Sequence, residues 1–462
     1  MKEKCLFSPS LDSCTRCDQV KRQCRTDRPI RAAGRRPRVR RPTSAQSPSL
    51  SEASLVSEPL TQLSDELPNE LNESRINTII KCGAFEPFEE HLIRMSQPER
   101  EADLRGFSSI LVTVPKFEQD FIIRLRKIMD WRIGGHIDGY LACFGALALK
   151  LGFVPDDDGK SNINIRRGAM AVSKLRASPG PQSSEDLDNW ITFGLAIMTF
   201  AMTALGTGAT TVRRHILKHV ASQSVLPADV QFSDSLIPML VFETWECLLK
   251  RSIPVIKLEI SDVIPPVDRL FGLGTPLLPL FYRMCQLSSE MTSMGDDKET
   301  VIESSLLELQ SQFERWKPQP PANFLDDYTT TEVVHLLCQA EVHRKAGLLF
   351  LHRLQYPFGE EDESANRQAR EIINEIDRAR LVTGTRVYSI AFPFFLAGVN
   401  AQDANLREEI MAQAGQHMDP TCPLISKQCE TFLYALWQIR DVSTGFYWLD
   451  LLKHLPEITM PI

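Results

Sequence analysis

From about residue 77 to the C-terminus, apolar residues recur every three or four positions, the period of helices with one face turned inward. Phe121, Leu125, Ile128, Met129 and Ile133 line one such face over 117–133. Val333, Leu336, Leu337, Ala340, Leu349 and Phe350 line another over 330–355. Helix starts are marked by Ser184 and the acids after it, by Thr330-Thr-Glu, and by acids near Glu299. Period-two alternation is rare; the short run Ser108 to Val114 is the best candidate strand. Proline and glycine clusters at 155–160, 179–182, 265–279, 318–323 and 356–363 separate the helices. No period of 20–50 residues repeats. The pattern predicts an all-α protein, with one large multi-helix body over residues 77–462.

One stretch raises the question of a membrane. Asn189 to Val212 carries no charge over 24 residues, a length that could span a bilayer. Six threonines and three glycines interrupt it, and no second such stretch exists. It is expected to be a buried core helix, with no membrane partner.

The N-terminal part has a different composition. Of 462 residues, the first 42 hold 13 Lys+Arg against 4 Asp+Glu, a balance of +9. The remainder holds 39 against 55, a balance of −16. A basic arm on an acidic body is the asymmetry of a nucleic-acid contact or a nuclear-import signal. Residues 25–42 form an arginine-rich tail: Arg25, Arg28, Arg31, Arg35, Arg36, Arg38, Arg40 and Arg41, with a single acid. Proline and glycine break it up, so flexible phosphate contacts are expected rather than a helix. Residues 43–76 are rich in serine, proline and glutamate and are expected to be a disordered linker. Leu60, Leu63, Leu67 and Leu71 approach heptad spacing, but Pro59 and Pro68 interrupt it. A weak acidic activation segment is the other reading of this stretch.

Four of the 11 cysteines fall in the first 24 residues: Cys5, Cys14, Cys17 and Cys24. The other seven are scattered in mostly apolar surroundings and read as small buried hydrophobes. No apolar signal-peptide core follows Met1, so the clustered cysteines read as metal ligands before disulfides. Four thiolates suit one tetrahedral zinc, and Cys14-x2-Cys17 places two of them on one turn. Arg16, Lys21, Arg22 and Arg25 lie between and after these ligands, giving the site the positive rim of a nucleic-acid module.

Cys14-x2-Cys17-x6-Cys24 resembles the second half of the fungal six-cysteine, two-zinc DNA-binding cluster. Cys5 resembles that pattern's third cysteine, and Leu6–Ser13 its inter-half loop. Lys2 and Lys4 fall where the family carries basic residues, one of which reads a G/C-rich triplet in the major groove. The first C-x2-C of the pattern does not occur in this chain, so one zinc is expected rather than two. Residues 1–24 are thus read as a partial zinc-cluster module, and its missing half as a misplaced start or a decayed module.

The last 130 residues resemble the fungal-specific transcription-factor domain. The resemblance rests on Ala346-Gly-Leu-Leu-Phe-Leu-His-Arg-Leu-Gln-Tyr-Pro, on Ile390-Ala-Phe-Pro-Phe-Phe-Leu-Ala-Gly-Val-Asn-Ala followed by Arg407-Glu-Glu-Ile, and on Leu436-Trp-Gln-Ile-Arg-Asp with Trp448-Leu-Asp-Leu-Leu. It implies a non-catalytic domain that binds effectors or transcription co-regulators and supports a homodimer. Trp437, Trp448, Phe392, Phe394 and Phe395 read as core anchors, and Arg440-Asp441 as a helix-end ion pair.

Catalytic signatures are missing: no H-E-x-x-H, P-loop or G-x-G-x-x-G motif occurs, nor a G-x-S-x-G elbow. Glu332-x-x-His335 has di-iron ligand spacing but no second copy. His215 and His219 sit one turn apart beside Arg213, Arg214 and Lys218, and read as an exposed basic helix face. The expectation is a nuclear, zinc-dependent, sequence-specific DNA-binding transcription regulator, not an enzyme, controlling a metabolic or secondary-metabolite gene set. The alternative is a helical interaction protein that has lost its zinc module.

Overall fold

The computed structural model describes residues 112, 114–123, scattered positions between 169 and 183, and then 184–222, 235–258, 267–293, 299–418, 422–455 and 458–460. Twelve α-helices lie among the described residues from 184 onward. They are α1 (Ser184–Phe200), α2 (Thr210–Ser222), α3 (Leu236–Lys250), α4 (Leu278–Ser293), α5 (Glu299–Arg315) and α6 (Phe324–Asp327). Then come α7 (Thr330–Gln355), α8 (Asp362–Thr383), α9 (Ala391–Asn400), α10 (Ala404–His417), α11 (Pro423–Val442) and α12 (Trp448–Leu451). Among the described residues there is no strand, only an isolated bridge between Asp268 and Gly272. The all-α expectation therefore holds. Of the candidate strand Ser108–Val114, the described Val112 and Val114 are not extended in a sheet, and the rest lies outside the described residues.

α9 is the centre. All ten of its residues are buried, as its unbroken apolar run demands of a helix packed on every side. α7, about 39 Å long at 1.5 Å per residue, packs against α5, α8 and α9. Trp245 of α3 stacks on Phe392 of α9 at 4.2 Å and 5°. Phe281 of α4 meets the Trp245 indole edge-on at 4.8 Å, and His343 of α7 stacks at 5.7 Å. This aromatic knot ties four helices into one core. Gly347 of α7 lets the Phe313 ring of α5 lie against its backbone, where a Cβ would collide.

The uncharged stretch is a buried core helix as expected up to Leu205, but residues 207–212 are a part-exposed turn and the start of α2. α1 runs on into one π-type turn, Ala201–Leu205, and stops at Gly206. Gly206 takes φ +65° and its N–H, with that of Thr207, satisfies the carbonyls of Met202 and Ala201. Thr192, Thr199 and Thr203 return their hydroxyls to carbonyls one turn back, so the buried threonines are satisfied. Among the described residues no helix is long and apolar enough to cross a membrane.

α7 begins at the expected Thr330. Thr329 is its N-cap, and Glu332 closes a capping box by accepting from the Thr329 backbone N–H at 2.9 Å. Glu332 and His335 are thus structural: His335 pairs with Thr383 of α8 at 3.0 Å. On the same helix Leu337, expected inside, is 37% exposed, while Leu336, Ala340, Leu349 and Phe350 are buried. Leu125, Ile128, Met129 and Ile133 lie outside the described residues; Phe121 is buried.

Candidate functional site

The three segments that carry the family likeness end three different helices, and those ends meet. α7 ends after Arg353, α9 ends at Asn400 and α11 ends after Arg440-Asp441. Each helix C-terminus presents carbonyls without intrahelical donors and the negative end of its dipole. α8 starts at the same place with the opposite polarity, and its first residue is Asp362. Such a junction calls for cations at the C-termini and an anion at the N-terminus.

That is what the side chains supply. Arg353, 1% exposed, donates from Nη2 to Asp362 Oδ1 at 2.5 Å and from Nε to Asn400 Oδ1 at 2.7 Å. Its Nη1 donates to the carbonyls of Pro357 and Glu360 at 3.2 and 3.1 Å. Arg440 reaches the other oxygen of Asp362 at 3.0 Å and donates to the Ala401 carbonyl at 3.3 Å. Both guanidinium groups lie over the Phe358 ring, at 4.9 and 4.4 Å. Burial pushes the Asp362 carboxyl up, but Arg440 and Arg353 together hold it below the usual carboxylate value. The loops around it are pinned by the Phe358 and Gly445 backbones, Gly445 N–H donating to Phe358 O at 2.6 Å.

The expected Arg440–Asp441 ion pair is therefore corrected. Neighbours in sequence on a helix do not face each other. Arg440 turns inward to Asp362, and Asp441 receives a bidentate pair from Arg407 of α10, both contacts 2.7 Å. Arg407 also donates from Nε to the Ala401 carbonyl at 3.1 Å and covers the Trp437 ring. Trp437 Nε1 donates to the Gly398 carbonyl at 2.9 Å. The aromatic anchors are buried as expected: Phe392, Phe394, Phe395, Trp437 and Trp448.

The basic helix face is also corrected. On α2, Arg213 is buried, not exposed, and pairs with Glu246 of α3, which also accepts from Thr210 Oγ1 at 3.0 Å. Burial lowers the Arg213 pKa to about 10, with Glu243 opposing that shift, and burial raises Glu243. His215 and His219 are half-buried; their rings pack on Trp190 at 5.7 and 5.1 Å. Their role is to cover an indole face.

Among the described residues no group of three or more His, Cys, Asp or Glu is placed to hold a metal. Five scattered cysteines, Cys247, Cys285, Cys338, Cys422 and Cys429, are buried thiols outside any disulfide. Burial pushes the thiols of Cys338 and Cys429 up to about 12, which leaves them inert as nucleophiles. Cys82 and Cys143 lie outside the described residues. So do the expected zinc ligands Cys5, Cys14, Cys17 and Cys24 and the expected DNA contacts Lys2, Lys4, Arg16, Lys21, Arg22, Arg25, Arg35, Arg36, Arg38, Arg40 and Arg41.

One open groove of about 190 Å³ lies between α5, α7 and α8, lined by Gln310, Glu314, Arg344, Lys345, Leu348, His352, Gln368 and Glu371. Its cations are already matched: Arg344 forks onto Glu341, and Lys345 pairs with Glu371 at 3.4 Å. Neither the clasp nor the groove combines an exposed nucleophile, a base and a charge stabiliser, the three parts of a hydrolytic or transfer site. The clasp holds four helix ends together, and what it does chemically is fix their geometry.

The fungal specific transcription factor domain family matches residues 175–454. That is 280 of 462 residues and reaches well upstream of the three motif segments. No curated protein and no solved structure matches the chain. With more than half of its length matched, and with the motif ends converging on the Asp362 carboxylate, the chain belongs to the fungal specific transcription factor domain family.

Proposed function

We propose that this protein is a zinc-dependent, sequence-specific DNA-binding transcription regulator that works in the nucleus. The observation that carries the reading is the family match over 175–454, a domain of transcription factors. The N-terminal composition supports the DNA-binding part: a zinc-type cysteine set, Cys5, Cys14, Cys17 and Cys24, followed by eight arginines within residues 25–41. Residues 1–24 hold one zinc through these four thiolates. Lys2, Lys4, Arg16, Lys21 and Arg22 face the duplex, and the arginine tail adds sequence-indifferent phosphate contacts and import. The helical body receives regulatory input from co-regulators or a second copy. Its target genes are metabolic or secondary-metabolite genes, the class that the resemblance implies.

The second reading is a helical regulatory protein without DNA binding. It is favoured by one observation: the family match covers residues 175–454 and does not include the N-terminal cysteines.

A salt titration separates the two. If the tail meets phosphates, log K falls with log salt by about 0.9 per contact. Replacing Arg35, Arg36, Arg38, Arg40 and Arg41 by Ala weakens all DNA sequences alike, flattens that slope and moves the protein to the cytoplasm. An unchanged slope with an unchanged nuclear signal removes the tail from the account.

A further inference from the structure

The described segment 114–123 touches the body at sites more than 140 residues away in sequence, through two small sets of contacts. At its start, Val114 is buried in a satellite cluster with Val267, Leu273, Phe324, Tyr328 and Leu336, apart from the main core. Lys116 lies over the Tyr328 ring at 4.2 Å, and its backbone N–H donates to Glu332 Oε1 at 3.0 Å. At its end, Phe121 is buried as a member of the main core cluster, beneath the Arg269 guanidinium, 3.8 Å from the ring centroid. Between these anchors Lys116, Gln119 and Asp120 are exposed.

Glu332 is the point of interest. Its Oε2 accepts from the Thr329 N–H and hydroxyl, which completes the N-cap of α7. Its Oε1 accepts from the 114–123 segment. One carboxylate therefore serves both the docking of the segment and the first turn of α7. α7 then runs through the core to Arg353 and the clasp on Asp362.

We propose that residues 114–123 form a releasable strap whose docking is read by the first turn of α7 through Glu332. The reason for releasability is the small balance. Three buried apolar side chains, Val114, Phe121 and Ile122, are set against the ordering entropy of ten residues. Only Phe121 of these joins the main core, whose central helix α9 is buried in all ten of its residues. A segment of this kind opens far below the global unfolding free energy. The device concerns this chain's own helices and stands whether or not the N-terminal arm binds DNA.

The test is hydrogen exchange by mass spectrometry on the full chain, with limited trypsin cleavage after Lys116 as a second readout. In the wild type, 114–123 exchanges faster than α9. Phe121→Ala speeds exchange of 114–123 and of 329–333 by about tenfold or more and exposes the Lys116 cleavage site, while 391–400 stays protected. Glu332→Gln, which keeps a capping-box side chain, gives a smaller change of the same pattern. Unchanged exchange at 329–333 when the strap is loosened overturns the coupling. A rise at 391–400 in step with the strap, or a wild-type strap as slow as α9, overturns the releasability.

Discussion

Replacing Asp362 with Asn tests the clasp with the least change in shape. Asn keeps the volume of Asp362 but removes the charge that two buried guanidinium groups share, at 2.5 and 3.0 Å. Arg353 and Arg440 are 1% and 5% exposed, so water cannot take over. Breaking a buried pair from one side costs about 3–5 kcal/mol, because the partner charge stays buried and uncompensated. Here two cations are left. They keep carbonyl partners at Pro357, Glu360 and Ala401, the Asn400 side chain and the Phe358 ring, which limits the damage. We therefore expect a loss of about 3–5 kcal/mol, a large share of the roughly 5–15 kcal/mol that holds a native domain together. Urea denaturation followed by circular dichroism reads it as a lower midpoint at unchanged slope. The double variant with Arg440→Met recovers part of the loss, since one orphaned cation is then gone. The sign of the pH dependence follows from the lowered carboxyl. The contribution of Asp362 is complete above its ordinary value of 3.8 and is lost as pH falls through its lower folded value. A loss under about 1 kcal/mol for Asp362→Asn would refute the clasp as a buried charge network.

His343 and His417 are buried neutral, with pKa lowered by burial from 6.5 to about 4. Their stabilising effect is whole above pH 6.5 and is lost as pH falls toward 4, by up to about 3 kcal/mol each. Denaturation at pH 7 and pH 4.5 reads it, and His417→Gln flattens the difference. Gly347→Ala drives a Cβ into the Phe313 ring and costs about 1–3 kcal/mol in overpacking, against at most about 1 kcal/mol gained in helix propensity. A lower thermal midpoint for that variant is the expected result, and a higher one contradicts the packing of α5 on α7.

How much of this was legible in the sequence depends on the range of the interaction. The start of α7 is a local pattern, and Thr330-Thr-Glu marked it in the sequence. The aromatic anchors were visible because a run such as Phe392-Pro-Phe-Phe has nowhere to go but inside. The clasp was not. Arg353, Asp362 and Arg440 are spread over 88 residues, and an arginine in a helix normally reads as surface. The only local hint was that an arginine stood inside two of the apolar motif segments. Arg213 was misread for the same reason: its partner Glu246 is 33 residues on, on another helix. Leu337 went the other way, because the period alone does not say how wide the buried stripe of α7 is.

The most direct test of the functional account is the metal content of the full chain, measured by native mass spectrometry beside a DNA titration. Cys5, Cys14, Cys17 and Cys24 make one closed tetrahedral set, and six cysteines would be needed for two bridged zincs. The account predicts one zinc per chain. It predicts loss of that zinc and of any sequence preference in Cys17→Ser, and residual salt-dependent binding from the arginine tail. A metal-free wild-type chain, two zincs per chain, or sequence-specific binding that survives Cys17→Ser would contradict it.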